Sequence, residues 1–307
     1  MKEAILVEEV IKKFGEDITN ICGDRTAAFS TFCSSDNPKS QALAWSKSQH
    51  ISNLLSNPSL SPSVIITDLN QEDYPFKNGV VILQTAKPKL LFIKLLKQYF
   101  EKKPQWGIEQ TATISLKAEI HPEVYIGPNC VIGAAKIGKG CIIEGNNFIY
   151  DNVILKQNVI VQAGAVLGSK GMSLARESDG KLLDFPSLGE LIIEEGVEIG
   201  SNSVIDMAVL EKTVIGAGTK INSLTFIGNT VSIGEDNYIS VCVNVNGSVK
   251  IGNRNFIGSG SSIRNKATVG SGNTIGSGSI VVKNISDNST VYGNPAKEST
   301  KSKGIEL

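Results

Sequence analysis

Aliphatic side chains return at every sixth position through most of the chain beyond residue 110. From residue 215 the series runs Ile215, Ile221, Ile227, Ile233, Ile239, Val245, Ile251, Ile257, Ile263, Val269, Ile275 and Val281, with no member missing. Upstream, the same spacing links Ile114, Ile120, Ile126 and Ile132. It slips by one residue to Ile137, Ile143 and Ile149, slips again to Ile154, Ile160 and Val166, and resumes at Ile193, Ile199 and Ile205. Period six suits neither an isolated helix nor a hairpin sheet. It suits a solenoid whose coil has three flat walls of one hexapeptide each, with the β-branched residue pointing inward. Gly or Asn follows at the corners, as in Gly252-Asn253 and Gly272-Asn273. Both residue types accept the positive-φ turns that corners demand. The predicted fold class is mainly β: a left-handed parallel β-helix of hexapeptide repeats spanning 111–285, with coils of 18 residues, stacked about 4.8 Å apart.

The first 103 residues lack the repeat. Their pattern predicts helices at Ile5–Phe14, near Ser46–Leu55 and at Lys89–Glu101, with strands at Ser63–Thr67 and Val80–Gln84, which together make a small α/β domain. Residues 104–110, opening with Pro104, read as a linker, and 286–307 as a polar C-terminal tail. Within the solenoid, residues 169–190 break the period with a polar, Gly-rich stretch. It reads as an excursion loop. Loops of this length inside a compact domain are usually functional, and a tolerated surface insertion is the alternative.

Thirty acidic and thirty basic residues cancel, which gives no reason to expect a nucleic-acid partner. No apolar run is long enough to span a bilayer, and the N-terminal stretch reads as an amphipathic helix. A cytoplasmic location is the expectation. The five cysteines, Cys22, Cys33, Cys130, Cys141 and Cys242, form no C-x-x-C pair and read as reduced thiols. Only His50 and His121 are present. A zinc hydratase on this type of prism needs three histidines, so that chemistry is excluded, and no metal site is expected.

The order of parts resembles the UDP-3-O-acylglucosamine N-acyltransferases of lipid A synthesis. The resemblance is most specific from Leu188 to Asp206, LGELIIEEGVEIGSNSVID, and then at VLEKTVIGAG, residues 209–218. It implies a homotrimer with active sites between neighbouring prisms. It also implies transfer of a 3-hydroxyacyl chain from acyl carrier protein to the amine of a UDP-sugar, with no bound cofactor. In that family an Asp orients a His, seven residues on, that serves as general base. Here those positions are Asn222 and Asn229, and the Arg after Ile-Asp is Met207. The family's oxyanion donor, a backbone N–H, falls on Gly247. The C-terminal Gly293-Asn294-Pro295-Ala296-Lys297 is similar to the ending of acetyl-CoA-dependent hexapeptide acetyltransferases, so either acyl carrier protein or CoA is expected to carry the acyl group.

An amide side chain is not a base at neutral pH, and loss of a positioned base costs about 10²–10⁴ in rate. Counting by 18 puts Glu211 in the column of Asn229 and Gly247, with Asn265 above and Lys266 beside it. Glu211 is therefore a candidate substitute base, or else a solvated edge carboxylate. Trp45 falls on a family aromatic that stacks the uracil ring, with His50 nearby. A core or domain-interface aromatic is an equal reading for Trp45. Two function classes follow: an N-acyltransferase for UDP-aminosugars with an altered base, or a trimeric protein that binds nucleotide sugar or acyl carrier with little turnover.

Overall fold

A computed structural model describes residues 4–47, 51, 54, 62–69, 79–102 and 104–298. It divides into two compact units, Met1–Lys103 and Pro104–Leu307.

The first unit is built on a five-stranded sheet. Its strands are β2 (Asn20–Cys22), β4 (Thr31–Phe32), β5 (Ala42–Ser46), β6 (Val64–Thr67) and β7 (Val81–Gln84). Their order is β2-β7-β6-β5-β4, with β2 antiparallel to β7 and the rest parallel. The central strands read as continuous apolar runs because both faces are covered. Val64 and Ile66 join one apolar cluster and Ile65 the other, as strand alternation requires. Helix α1 (Val7–Phe14) buries Val7 and Val10. Its acids Glu8 and Glu9 lie in the first turn and Lys12 and Lys13 in the last, an arrangement that complements the helix dipole. Ile5–Leu6, read from sequence as the start of this helix, instead forms β1 and pairs with β3 (Ala28–Phe29). A second described helix, Pro88–Tyr99, opens on Pro88 and buries Leu91, Phe92 and Leu95. The helix expected near Ser46–Leu55 lies largely outside the described residues. Ser46 closes β5, while Ile51 and Leu54 are helical and buried.

The second unit is a left-handed parallel β-helix whose walls are sheets of 11, 9 and 8 strands. The chain visits them in fixed rotation: Gly107–Ile108 on the first wall, Thr113–Ile114 on the second, Glu119–Ile120 on the third, then Tyr125–Ile126 back on the first. The inward residues, among them Ile126, Ile143, Ile199, Ile227, Ile257 and Ile275, are wholly buried. At many corners Asn or Gly takes positive φ, as at Asn129, Asn158, Gly218 and Gly272. Inside one corner Asn237, Asn255 and Asn273 stack coil on coil. Their Oδ1 atoms accept the N–H groups of Asn255, Asn273 and Ser289 at 2.9, 2.8 and 2.7 Å.

Four features of the solenoid bear on the count by six. The slip between Ile132 and Ile137 is real: its coil has 17 residues, with Val131 paired to Phe148. The second slip does not occur. Ile149 is followed inward by Leu155, Val161 and Leu167, all buried, while Ile154, Ile160 and Val166 lie on the outer side. A run of adjacent aliphatics hides which neighbour faces in. Solenoid pairing also extends beyond 111–285: Gly107–Ile108, within the stretch read as linker, pairs with Tyr125–Ile126, and Thr290–Tyr292 continues the first wall. Most consequential is a coil of 22 residues, in which Glu190 pairs with Lys212, Glu198 with Lys220 and Val204 with Phe226.

Candidate active site at the second corner

The corner where the chain passes from the second wall to the third carries every large irregularity of the solenoid. The excursion leaves after Val166–Ser169 on the second wall and returns at Glu190–Ile193 on the third. One coil on, the four extra residues fall between Val204–Asp206 and Lys212–Ile215, at the same corner. The next three coils place Asn229, Gly247 and Asn265 there. Phe226 pairs with Asn244 and Asn244 with Ser262, a rise of 18 residues at each step.

The two insertions bind each other. Leu188 N–H donates to Val209 O at 2.7 Å and Glu190 N–H to Glu211 O at 2.9 Å. The excursion itself is a hairpin of Leu174–Arg176 against Leu182–Asp184, closed at its base by a Lys170–Asp184 ion pair. It exposes Met172, Leu174, Leu182, Leu183, Phe185 and Leu188. Exposed apolar side chains concentrated on one hairpin make it a candidate binding surface. Its Gly171 lies against the Asn229 side chain so closely that an added Cβ would stand 2.8 Å from Asn229 Cβ.

The 22-residue coil changes which residues share the column. Val204 pairs with Phe226 and Ile205 with Ile227, so Met207, not Glu211, lies one coil below Asn229. Glu211 sits at the far end of the inserted loop, exposed, just before Lys212. The physical reason is the insertion itself, which the uniform count of 18 passes over. Glu211 is thus removed from the column as a substitute base.

Asn229 and Gly247 do stack. Ser248 N–H donates to Asn229 O at 2.9 Å, and Lys266 N–H to Gly247 O at 3.1 Å. Lys266 holds positive φ at the turn, and both it and Asn265 are exposed. At the third corner three successive N–H groups are capped by a side chain from the next coil: Glu235 N–H by Asn253 Oδ1, Asn253 N–H by Ser271 Oγ, Ser271 N–H by Asp287 Oδ1. Among the described residues no such cap reaches Asn229, Gly247 or Asn265, nor Ala217, Val241 or Ser259 at other corners. Gly247 has no side chain to offer Asn229, and among the described residues the Gly247 N–H donates to nothing. Gly228 keeps it open, since a Cβ there would stand 2.8 Å from Gly247 N.

Asn222 is not brought to this site. It follows Ile221 on the first wall and so occupies the previous corner, one hexapeptide away. Its Oδ1 accepts Ser223 N–H at 2.7 Å and its Nδ2 faces the Tyr238 hydroxyl at 3.4 Å. No hydrogen bond joins Asn222 and Asn229 among the described residues. In the first unit, Trp45 is half-buried on β5 with its ring 6.5 Å from that of Phe92. His50 lies outside the described residues. His121 is at a different corner, its Nδ1 accepting Glu123 N–H at 3.0 Å.

Asp206 is a residue of this region that the repeat pattern does not single out. Asp206 ends the strand Val204–Asp206 and is 7% exposed. The excursion covers it, and Ser169 Oγ donates to its Oδ1 at 2.7 Å. Burial pushes this carboxyl above the usual carboxylate range, and the Ser169 hydroxyl draws it partly back. The one signal in the sequence is an acidic residue directly after an inward aliphatic, where several repeats place Gly, as in Ile227-Gly228 and Ile257-Gly258.

Fold and repeat together define a hexapeptide-repeat β-helix protein. The family model of bacterial transferase hexapeptide, six repeats, matches residues 248–283. The chain is similar to UDP-3-O-acylglucosamine N-acyltransferase of Coxiella burnetii (strain RSA 493 / Nine Mile phase I), 32% identical over 183 residues, covering 53% of this chain and 54% of that protein. It is 31% identical over 183 residues to UDP-3-O-acylglucosamine N-acyltransferase 1 of Legionella pneumophila (strain Paris), covering 52% and 50%. The chain spans about half the length of the curated relatives it matches. Among solved structures, the UDP-N-acetylglucosamine O-acyltransferase (LpxA) of Moraxella catarrhalis RH4 superposes with a TM-score of 0.57 at 24% identity, covering 62% of this chain and 73% of that one.

Proposed function

We propose that the protein transfers an acyl group from a thioester to the amine of a UDP-aminosugar, at the corner formed by Asn229 and Gly247. The observation that carries this reading is the Gly247 N–H, which donates to no described residue and borders the half-buried Asn229. Amide formation from a thioester needs donors for the tetrahedral oxyanion and fixed reactants. A free backbone donor beside a carboxamide supplies the first. The apolar hairpin of the excursion suits the acyl chain. Similarity to named UDP-3-O-acylglucosamine N-acyltransferases supports the same acceptor class.

On this reading the donor is acyl carrier protein or acyl-CoA, no cofactor is held, and the working form is a cytoplasmic homotrimer. Trp45 offers a half-buried ring for the uracil. Asn222 and Lys266 are left to contact substrate from the corners they occupy, and Asn265 borders the oxyanion position.

A second reading, a binding protein with little turnover, is favoured by one fact: the positions of the family's Asp–His pair are both amides, Asn222 and Asn229. The test is to incubate purified protein with O3-acylated UDP-glucosamine and either 3-hydroxyacyl carrier protein or acetyl-CoA, and to look for amide by mass spectrometry. Product with either donor is expected. Calorimetric binding of the UDP-sugar with no product from any donor establishes the second reading instead.

A further inference from the structure

We infer that Asp206 is the proton acceptor of this site and stands in for the absent imidazole; the inference rests on the acyl-transfer reading. The geometry begins with the register. Asp206 follows inward Ile205, which pairs with Ile227, so it lies one coil beneath Gly228 and diagonally beneath Asn229. Adjacent coils are about 4.8 Å apart, and Gly228 interposes no side chain. Asp206 is thus two coils, roughly 9.6 Å, below Gly247, a gap that the acyl carbonyl and the attacking amine would together have to span.

The carboxylate is held for such a task. Ser169 fixes Oδ1, while Oδ2 has no hydrogen-bond partner among the described residues and is not sealed from solvent. Among the described residues no positive side chain pairs with it. On the elements packed around it, Lys170 is paired with Asp184, Lys212 with Glu190 at 3.6 Å, and Glu211 is exposed. The strand above, Phe226–Ile227, carries no charge. A buried carboxylate without a cation is a stronger base than a free one, which brings it closer to the working pH that proton transfer favours. Glu211 has neither the burial nor the register, and His121 sits at another corner.

The step balances with these groups alone. The amine nitrogen attacks the thioester carbonyl carbon, forming the C–N bond and an oxyanion that accepts from Gly247 N–H. The proton lost by nitrogen passes to Asp206 Oδ2. Collapse of the oxyanion breaks the C–S bond, and the departing thiolate takes that proton. Amine and thioester become amide and thiol, with Asp206 returned as carboxylate.

The test compares full-length wild type with Asp206→Asn, Ser169→Ala and the double variant Asp206→Asn/Asn229→His, using O3-acylated UDP-glucosamine with the thioester donor that supports turnover. Asp206→Asn keeps the shape and an acceptor for Ser169. Its kcat is expected to fall by about 10²–10⁴ with KM little changed, and the acid limb of the wild-type pH–rate profile is expected to disappear. Ser169→Ala is expected to move that limb to higher pH, because the hydroxyl stabilises the charged form. The double variant is expected to recover rate, with a new limb near pH 6.5, the ordinary imidazole value. Asp206→Asn with undiminished kcat and an unchanged acid limb overturns the inference while leaving acyl transfer intact. So does a fall in kcat that only follows lost thermal stability and leaves the limb in place. Wild type inactive with every donor overturns the acyl-transfer reading, and this inference with it.

Discussion

Replacing Gly247 with alanine puts a methyl group between Asn229 and Asn265. The added Cβ would stand 3.2 Å from Asn229 Oδ1, 3.3 Å from Asn265 Nδ2 and 3.4 Å from Asn229 O. These contacts are tight, but Asn265 is exposed and its amide can swing away. Gly247 is not among the positive-φ residues, so alanine fits its backbone. Crowding costs about 1 kcal/mol, and the stiffer unfolded chain returns about 0.4–1 kcal/mol. Folding stability should therefore change little. The chemistry should not escape so lightly, because the methyl occupies the space where an oxyanion would meet the Gly247 N–H. Loss of one such donor costs about 10²–10³ in kcat, roughly 2.7–4 kcal/mol. Amide formation quantified by mass spectrometry, beside urea unfolding of the same preparation, separates the two effects. Wild-type kcat in the alanine variant would refute the oxyanion assignment. A loss of rate that merely tracks unfolding would refute it equally.

Asn229→His is expected to raise kcat by at least about tenfold, since it restores a base with a pKa near the working pH; no gain, even with Asn222→Asp added, would show that the pocket around it has diverged too. Asp206 also sets a pH dependence of stability. Its folded pKa is raised, so the native state holds the proton more firmly and this group's penalty grows as pH rises from about 3.8 through the folded value. Asp206→Asn should accordingly melt above wild type at pH 7, with the difference vanishing at or below about pH 3.8, the unfolded carboxylate value; a difference independent of pH contradicts this. Burial pushes the Cys141 thiol up to about 11, so iodoacetamide at pH 8 should leave it unmodified until the solenoid is unfolded, as peptide mass mapping would show. Ile227→Ala, at a wholly buried inward position, should cost about 2–5 kcal/mol in urea unfolding.

The solenoid was legible because its physics repeats. An inward β-branched residue every six positions and a permissive corner residue fix the wall, and twelve members in register from Ile215 to Val281 leave no other periodic reading. What sequence could not show was register across irregularities. Ile154 and Leu155 are equally apolar, so only the pairing of Ile137 with Leu155 decides which faces inward. The four residues added before Lys212 show only as a ten-residue step between Ile205 and Ile215, which a uniform count of 18 ignores. They nevertheless move Met207 under Asn229 and carry Glu211 out of the column. Gly247 was found because 18-residue coils hold on both sides of it. Asp206 is not legible in the sequence because its meaning depends on burial and on Ser169, 37 residues earlier in the chain. Asn222 and Asn229 are close in sequence yet occupy different corners, a separation that follows once one hexapeptide is recognised as one wall.

The location of the amide product on the protein tests the whole account at its centre. A crystal structure of the protein with N-acylated UDP-glucosamine bound is expected to place the new amide at the second corner, its carbonyl oxygen on Gly247 N–H and its nitrogen facing Asp206. Product seated at another corner, or an amide turned away from both groups, would contradict it.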